Sequence, residues 1–331
     1  SGASGSAGVA VTSGGNGGNG GAGADGVSIP AGTSFTNSTT ADGLGDNVVY
    51  GVFAVGSTVY AATDGGGLSI STDGGASYTT RTTADGLGAD DLNGVFASGG
   101  TVYAATWGGL SISTDGGVSF TTRTTSDGLG SNIVWGVFAD GGTVYAAPNG
   151  GGLSISTDGG VSFINRTTAD GLGDDTVLGV FASGGTVYAA TNGSGLSIST
   201  DGGVSFTTRT MADGLGDNVV YGVFAVGSTV YAATDGGLSI STDGGASFTN
   251  RTTADGLGDN LVVEVFATGG TVYAATFGGL STSTDGGVSF TTRTTADGLG
   301  DNRMGGVFAA GGTVYAATFG GVSISSSTVT P

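Results

Sequence analysis

The sequence predicts an all-β fold, a seven-bladed β-propeller, and three observations predict it. A unit of about forty-two residues recurs seven times, marked by the loop Ala-Asp-Gly-Leu-Gly with Ser for Ala once. Its Asp falls at Asp42, Asp85, Asp127, Asp170, Asp213, Asp255 and Asp297, with spacings of 43, 42, 43, 43, 42 and 42 residues. Each unit holds short β-type runs separated by Gly-rich turns, the pattern of propeller blades. The 73 glycines among 331 residues fall in phase with the repeat, so they read as turn glycine rather than disorder.

The start of the chain is off-period. Residues 1–25 are rich in Gly, Ala, Ser and Asn and read as a flexible arm, leaving residues 26–331 for the propeller. In the first full unit, Val48 to Ala54 is a near-continuous apolar run suited to a buried inner strand A. The turn Gly56-Ser57, Gly-Gly in most copies, suits a two-residue hairpin into strand B, Thr58 to Thr63. Strand C is read at Leu68 to Ser71, and the turn Ser71 to Tyr78 feeds an outer strand D with Arg81 near its end.

The seventh unit ends without that turn or an aromatic outer strand. The missing piece stands at the other end, where Thr33 to Asn37 matches strand D, so this N-terminal strand is expected to close the ring and hide an exposed edge. Gly26 to Ile29 mimics strand C, the slot that Gly321 to Ile324 also claims, which leaves one strand candidate spare.

Net charge is −19, with seven arginines and no Lys, His or Cys. Such a surface repels phosphate backbones and anionic lipid, which argues against nucleic-acid and membrane-surface partners. No apolar run approaches the roughly twenty residues that span a bilayer. A start at Ser1 fits a processed N-terminus, and an extracellular or cell-surface location is expected. The sequons at Asn37, Asn165, Asn192 and Asn250 suggest glycosylation only weakly in so Ser/Thr-rich a chain.

Two repeat families resemble these residues. Ser-Thr-Asp-Gly-Gly-x-Ser-Phe, present six times with its Asp at Asp73, Asp115, Asp158, Asp201, Asp243 and Asp285, resembles the Asp-box (BNR) motif of sialidase-type propellers. The segment from Asp-Gly-Leu-Gly-Asp-Asn-Val to Thr-Val-Tyr-Ala-Ala-Thr-x-Gly-Gly-Leu resembles the two-component regulator propeller repeat. Together the resemblances span residues 26–325. They imply the fold, and they imply an Asp that ties off the C–D turn, a task that suits its short acceptor side chain. They do not imply an activity, because propellers host unrelated ones.

Enzyme chemistry finds few candidates. Six arginines, Arg81, Arg123, Arg166, Arg209, Arg251 and Arg293, share one outer-strand position and read as structural rungs, each pairing with an Asp across the blade. The resemblance to sialidases implies an arginine cluster and a Tyr/Glu pair, yet the only off-register arginine is Arg303 and the only glutamate Glu264. A non-enzyme is expected, with no cofactor and no metal. Asp42 and Asp46 bring oxygen ligands together, but the ordered spacing of a calcium loop is missing and turn stabilisation is the better reading.

The aromatics divide sharply. Of 27, seven Phe in strand A, seven Tyr in strand B and seven residues opening strand D belong to the core. Tyr50, Trp107, Trp135, Tyr221, Phe277 and Phe319 remain, all at the start of strand A or in the B–C loop, which share one propeller face. The copies also diverge there, as at Val48, Asp91, Ile133, Thr176, Val219, Leu261 and Arg303. These six aromatics are therefore either a recognition surface or plugs of the central channel.

The leading functional expectation is a structural protein that assembles head to tail into a filament or surface layer. It would do so through the arm, where Val9 and Val11 alternate as a strand would, or through the spare strand. The alternative is a carbohydrate- or peptide-binding module that uses the aromatic face. A sensor domain is a third reading and follows only from the repeat resemblance.

Overall fold

The computed structural model describes residues 33–325, and their strands form seven four-stranded antiparallel sheets. Strand β1 is Phe35–Ser38. The first blade follows with β2 (Val49–Val55), β3 (Thr58–Thr63), β4 (Gly67–Ser71) and β5 (Thr79–Arg81), each within a residue or two of its expected place. Five more blades repeat this order, and the last contributes β26 (Met304–Ala310), β27 (Thr313–Thr318) and β28 (Gly321–Ser325). Its fourth strand is β1, which pairs antiparallel with β28 from Phe35↔Ser325 to Ser38↔Val322. The N-terminal strand thus closes the ring. The third slot belongs to Gly321–Ser325. The rival at 26–29 and the arm with Val9 and Val11 lie outside the described residues.

All 21 core aromatics are buried. The strand-A phenylalanines form a closed girdle around the axis, with neighbouring ring centroids 4.9–5.3 Å apart from Phe53 through Phe308 and back to Phe53. Offset ring pairs of this kind add to the area they bury.

Each Asp-Gly-Leu-Gly loop is a single 3-10 turn with a complete capping box. In the first, Asp42 Oδ2 accepts from Thr39 N at 2.9 Å, and Thr39 Oγ1 accepts from Ala41 N. Gly43 ends the turn at φ 97°, and a Cβ there would run into the Tyr78 carbonyl oxygen. Leu44 plugs the core beneath. Asp46 Oδ1 accepts from Val48 N at 2.8 Å, so both carboxylates that could suggest calcium serve the backbone of their own loop.

The C–D turns are tied as expected. Asp73 Oδ1 accepts from the backbone N–H groups of Ala76 and Ser77 and the Ser71 hydroxyl, and Oδ2 accepts from the Ser77 hydroxyl. The other five turns repeat this set. The Ser71 hydroxyl, then Ser77, holds the Asp73 carboxyl far below its ordinary range, and the equivalent Ser does so in every copy.

The arginine rungs require a correction. Arg81 Nε donates to the carbonyl of Gly117, at the C–D turn of the next blade, at 2.9 Å. Arg123, Arg166, Arg209 and Arg251 make the same 2.9 Å bond to the following blade. The carboxylates that pair with Arg123, Arg166, Arg251 and Arg293 lie four residues along the chain, at 3.5–4.0 Å, not across the blade. A planar, multiply donating head can serve a carbonyl and a carboxylate at once. At the seam Ser38 stands in the arginine position, and its hydroxyl donates to the Gly75 carbonyl at 2.6 Å.

Three sequon asparagines tie strand D to its neighbours. Asn37, Asn165 and Asn250 replace the strand-D Thr that bonds a strand-C Ser, and each side chain donates to a Gly carbonyl while accepting from that Ser. Asn37 and Asn192, the latter in a B–C loop, are exposed, and Asn165 and Asn250 are half-buried.

Candidate functional site: the axial mouth

Every strand A carries the same irregularity. Val49 pairs with Thr63 and Gly51 with Ala62, so Tyr50 is the extra residue of a β-bulge, and the register slips at this point in all seven blades. A bulge re-aims the side chain it carries. The seven bulged residues are Tyr50, Asn93, Trp135, Leu178, Tyr221, Val263 and Gly305, and all line one cavity of about 480 Å3. Asp64, Trp107, Phe277 and Phe319, each first in its B–C loop, and Met304 complete the wall.

The six aromatics singled out from the sequence are thus brought together around one cavity. Five of them form two groups. Trp107 and Trp135 meet edge to face at 6.4 Å and 76°. Tyr50 meets Phe319 at 5.8 Å and 89°, and Phe277 meets Phe319 at 6.1 Å and 66°. Trp107 is 52% exposed, an unusual state for the largest apolar side chain. Its Nε1 donates to Asn93 Oδ1 at 3.2 Å, while Asn93 Nδ2 donates to the Val134 carbonyl at 2.9 Å, which fixes the ring from both sides.

The polar groups are mostly acidic. Burial, and next the charge of Asp64, which also accepts its hydrogen bond, pushes the Tyr50 phenol above its ordinary range. Burial and the charges of Asp235 and Asp217 push the Tyr221 phenol the same way. Both therefore stay neutral donors at physiological pH. Arg303 sits 4.9 Å above the Phe319 ring and is engaged by Asp301 at 3.3 Å. Glu264 replaces the Gly that follows the bulge in the other blades. It is buried, and its Oε2 accepts from Val307 N of the next blade at 3.0 Å. Gly306, with no Cβ, leaves room for this carboxylate.

Sequence reasoning missed Asp64, Asn93 and the apolar or small wall residues Leu178, Val263, Met304 and Gly305. For Asn93, Leu178, Val263 and Gly305 the signal was available, because the bulge column differs from blade to blade. Among the described residues no group of three or more acidic side chains is placed to hold a metal ion, and no helix is long and apolar enough to cross a membrane.

No protein-family model matches the chain, and no curated protein matches it by sequence. Solved structures do. The extracellular domain of the putative hybrid two-component system BT3049 from B. thetaiotaomicron superposes with a TM-score of 0.74 at 16% identity, over 89% of this chain and 42% of that one. A structure of YCF48 bound to D1 peptide gives a TM-score of 0.61 at 16% identity, over 81% and 89% of the two chains. The Niastella koreensis GH74 enzyme gives 0.61 at 24% identity, over 87% and 44%. These likenesses define the fold class, a β-propeller, here of seven blades. The chain spans less than half of the length of the BT3049 domain.

Proposed function

We propose that the chain is a non-catalytic binding module, extracellular or at the cell surface, whose axial mouth recognises a peptide or carbohydrate. One observation carries this reading. Blades that are otherwise near copies differ at the bulge, where Tyr, Asn, Trp, Leu, Tyr, Val and Gly face one cavity. Uniform positions serve a fold, whereas divergent residues converging on a concave, aromatic-lined cavity suit a ligand. The D1 peptide of the YCF48 structure and the extracellular origin of the BT3049 domain support it by likeness of fold. The lone glutamate is committed to a backbone N–H, and the chain has no His or Cys, which favours binding over chemistry. Glycosidase turnover abolished by Glu264→Gln would overturn that reading of the chemistry.

Head-to-tail assembly through residues 1–25 rests on Val9 and Val11, outside the described residues, and the axial mouth does not depend on it. The test is a glycan and peptide array probed with the full chain and with the Trp107→Ala/Trp135→Ala variant. We expect a defined set of signals that the variant loses at unchanged melting temperature. An array that stays blank, or signals indifferent to both substitutions, would sink the reading. Light scattering before and after deletion of residues 1–25 tests assembly separately.

A further inference from the structure

We propose that the axial cavity is selective for a cation, an ammonium or guanidinium group such as the side chain of a Lys- or Arg-bearing peptide. The Tyr50–Phe319–Phe277 group and the Trp107–Trp135 pair would enclose it, with Asp64 as counter-ion. This rests on the binding reading above and narrows it to one ligand class.

Ring geometry is the first argument. A sugar face stacks on a flat platform, but here neighbouring rings stand at 66–89° to one another. Walls at right angles present π-faces from several directions, and a compact cation is attracted to each of them. Charge is the second. Asp64 is the one charged side chain in the cavity wall, and Asp91 and Asp46 also lie close enough to act on Tyr50. The cation at the rim, Arg303, is already offset by Asp301, so it does not balance Asp64. An overall charge of −19 draws cations toward the mouth from a distance. The third argument is a precedent inside the molecule: the Phe319 ring already carries the Arg303 guanidinium at 4.9 Å. At about 480 Å3 the cavity exceeds one side chain, so the neighbouring residues of a peptide enter with it.

The chain supplies its own reporter, because both of its tryptophans line this cavity. Fluorescence titrations would use acetyl-Gly-Lys-Gly-amide, its Arg, Nε-trimethyl-Lys, Gln and Glu counterparts, and cellotetraose. The three cationic probes should change tryptophan emission saturably and bind several-fold more weakly at high salt. The Gln probe should bind at least about tenfold more weakly, and the Glu probe not at all. Asp64→Asn should weaken the Lys probe about tenfold and leave the Gln probe unchanged. Asp140→Asn, which removes an equal charge from an exposed strand end outside the cavity wall, should retain the Lys probe and so separates Asp64 from net charge. Arg303→Ala should tighten it. Equal affinity for the Lys and Gln probes, or saturable binding of cellotetraose or the Glu probe unaffected by Asp64→Asn, would overturn the inference and leave the binding reading standing. No saturable response to any probe would also overturn it, and the binding reading would then stand or fall on the arrays alone.

Discussion

The rim and the mouth of this ring obey different rules. At the rim all seven blades repeat the same capping box, six the same tied C–D turn and five the same arginine bond to a carbonyl of the next blade. At the mouth the same backbone bulge carries a different side chain in almost every blade. The bulge itself is the same in all seven blades, so the divergence of the side chains it carries does not reflect a looser structure. The rim answers to the fold, which needs the same bonds in blade after blade, and on the binding reading proposed above the mouth answers to a ligand that is not sevenfold symmetric.

Truncating one side chain in each region should break or sharpen that comparison most clearly. Phe138→Ala removes a fully buried member of the aromatic girdle and should cost about 3–5 kcal/mol in a urea titration. Trp107→Ala, on a half-exposed ring, should change stability by less than about 1 kcal/mol while abolishing ligand capture. Similar losses for the two would erase the distinction.

Next come the glycines. Gly86 has φ 97°, and a Cβ would run into the Phe120 carbonyl oxygen, whereas Gly99 at φ 59° has nothing within 4 Å. Gly86→Ala should therefore cost about 2–3 kcal/mol or more, and Gly99→Ala about 1 kcal/mol. Equal effects would show that the loop relaxes around the added methyl.

The seam should respond less. Ser38→Ala leaves the Gly75 carbonyl without its 2.6 Å donor and should lower stability by about 1 kcal/mol, read from the same titration.

The smallest effect at neutral pH concerns the six turn carboxylates. Their folded pKa values lie below the unfolded value of about 3.9, so the stability they add is complete above that pH. It is lost as pH falls from about 4 toward the folded value. Melting temperature should be flat from about pH 7 to 5 and drop below about pH 4, less steeply in Asp115→Ala. A melting temperature that climbs on acidification would contradict the depressed values.

Much of this was legible in the sequence because the chain aligns with itself. Period, strand order, the closing strand (expected at Thr33 to Asn37, found at Phe35–Ser38) and the six mouth aromatics all follow from comparing copies. What escaped were contacts with backbone atoms. The Gly117 carbonyl that receives Arg81 has no side chain to announce it, whereas nearby Asp residues advertise a false partner. The 3-10 turn was announced by Thr39-x-x-Asp42 but hidden among Gly-rich turn signals. Asp64 stands in a column that visibly varies between copies, yet a lone Asp beside glycines reads as one more turn residue until the fold sets it against Tyr50.

The clasp between β1 and β28 also has a mechanical meaning. In the antiparallel ladder the outermost partners are Phe35 and Ser325, the residues nearest the two chain ends. A pull applied through those ends loads the ladder at one extremity, so its hydrogen bonds break in succession rather than sharing the force. Under tension the ring should open as a zipper at this one blade. The other six blades each keep all four strands in sequence and would remain folded after the seventh has peeled open.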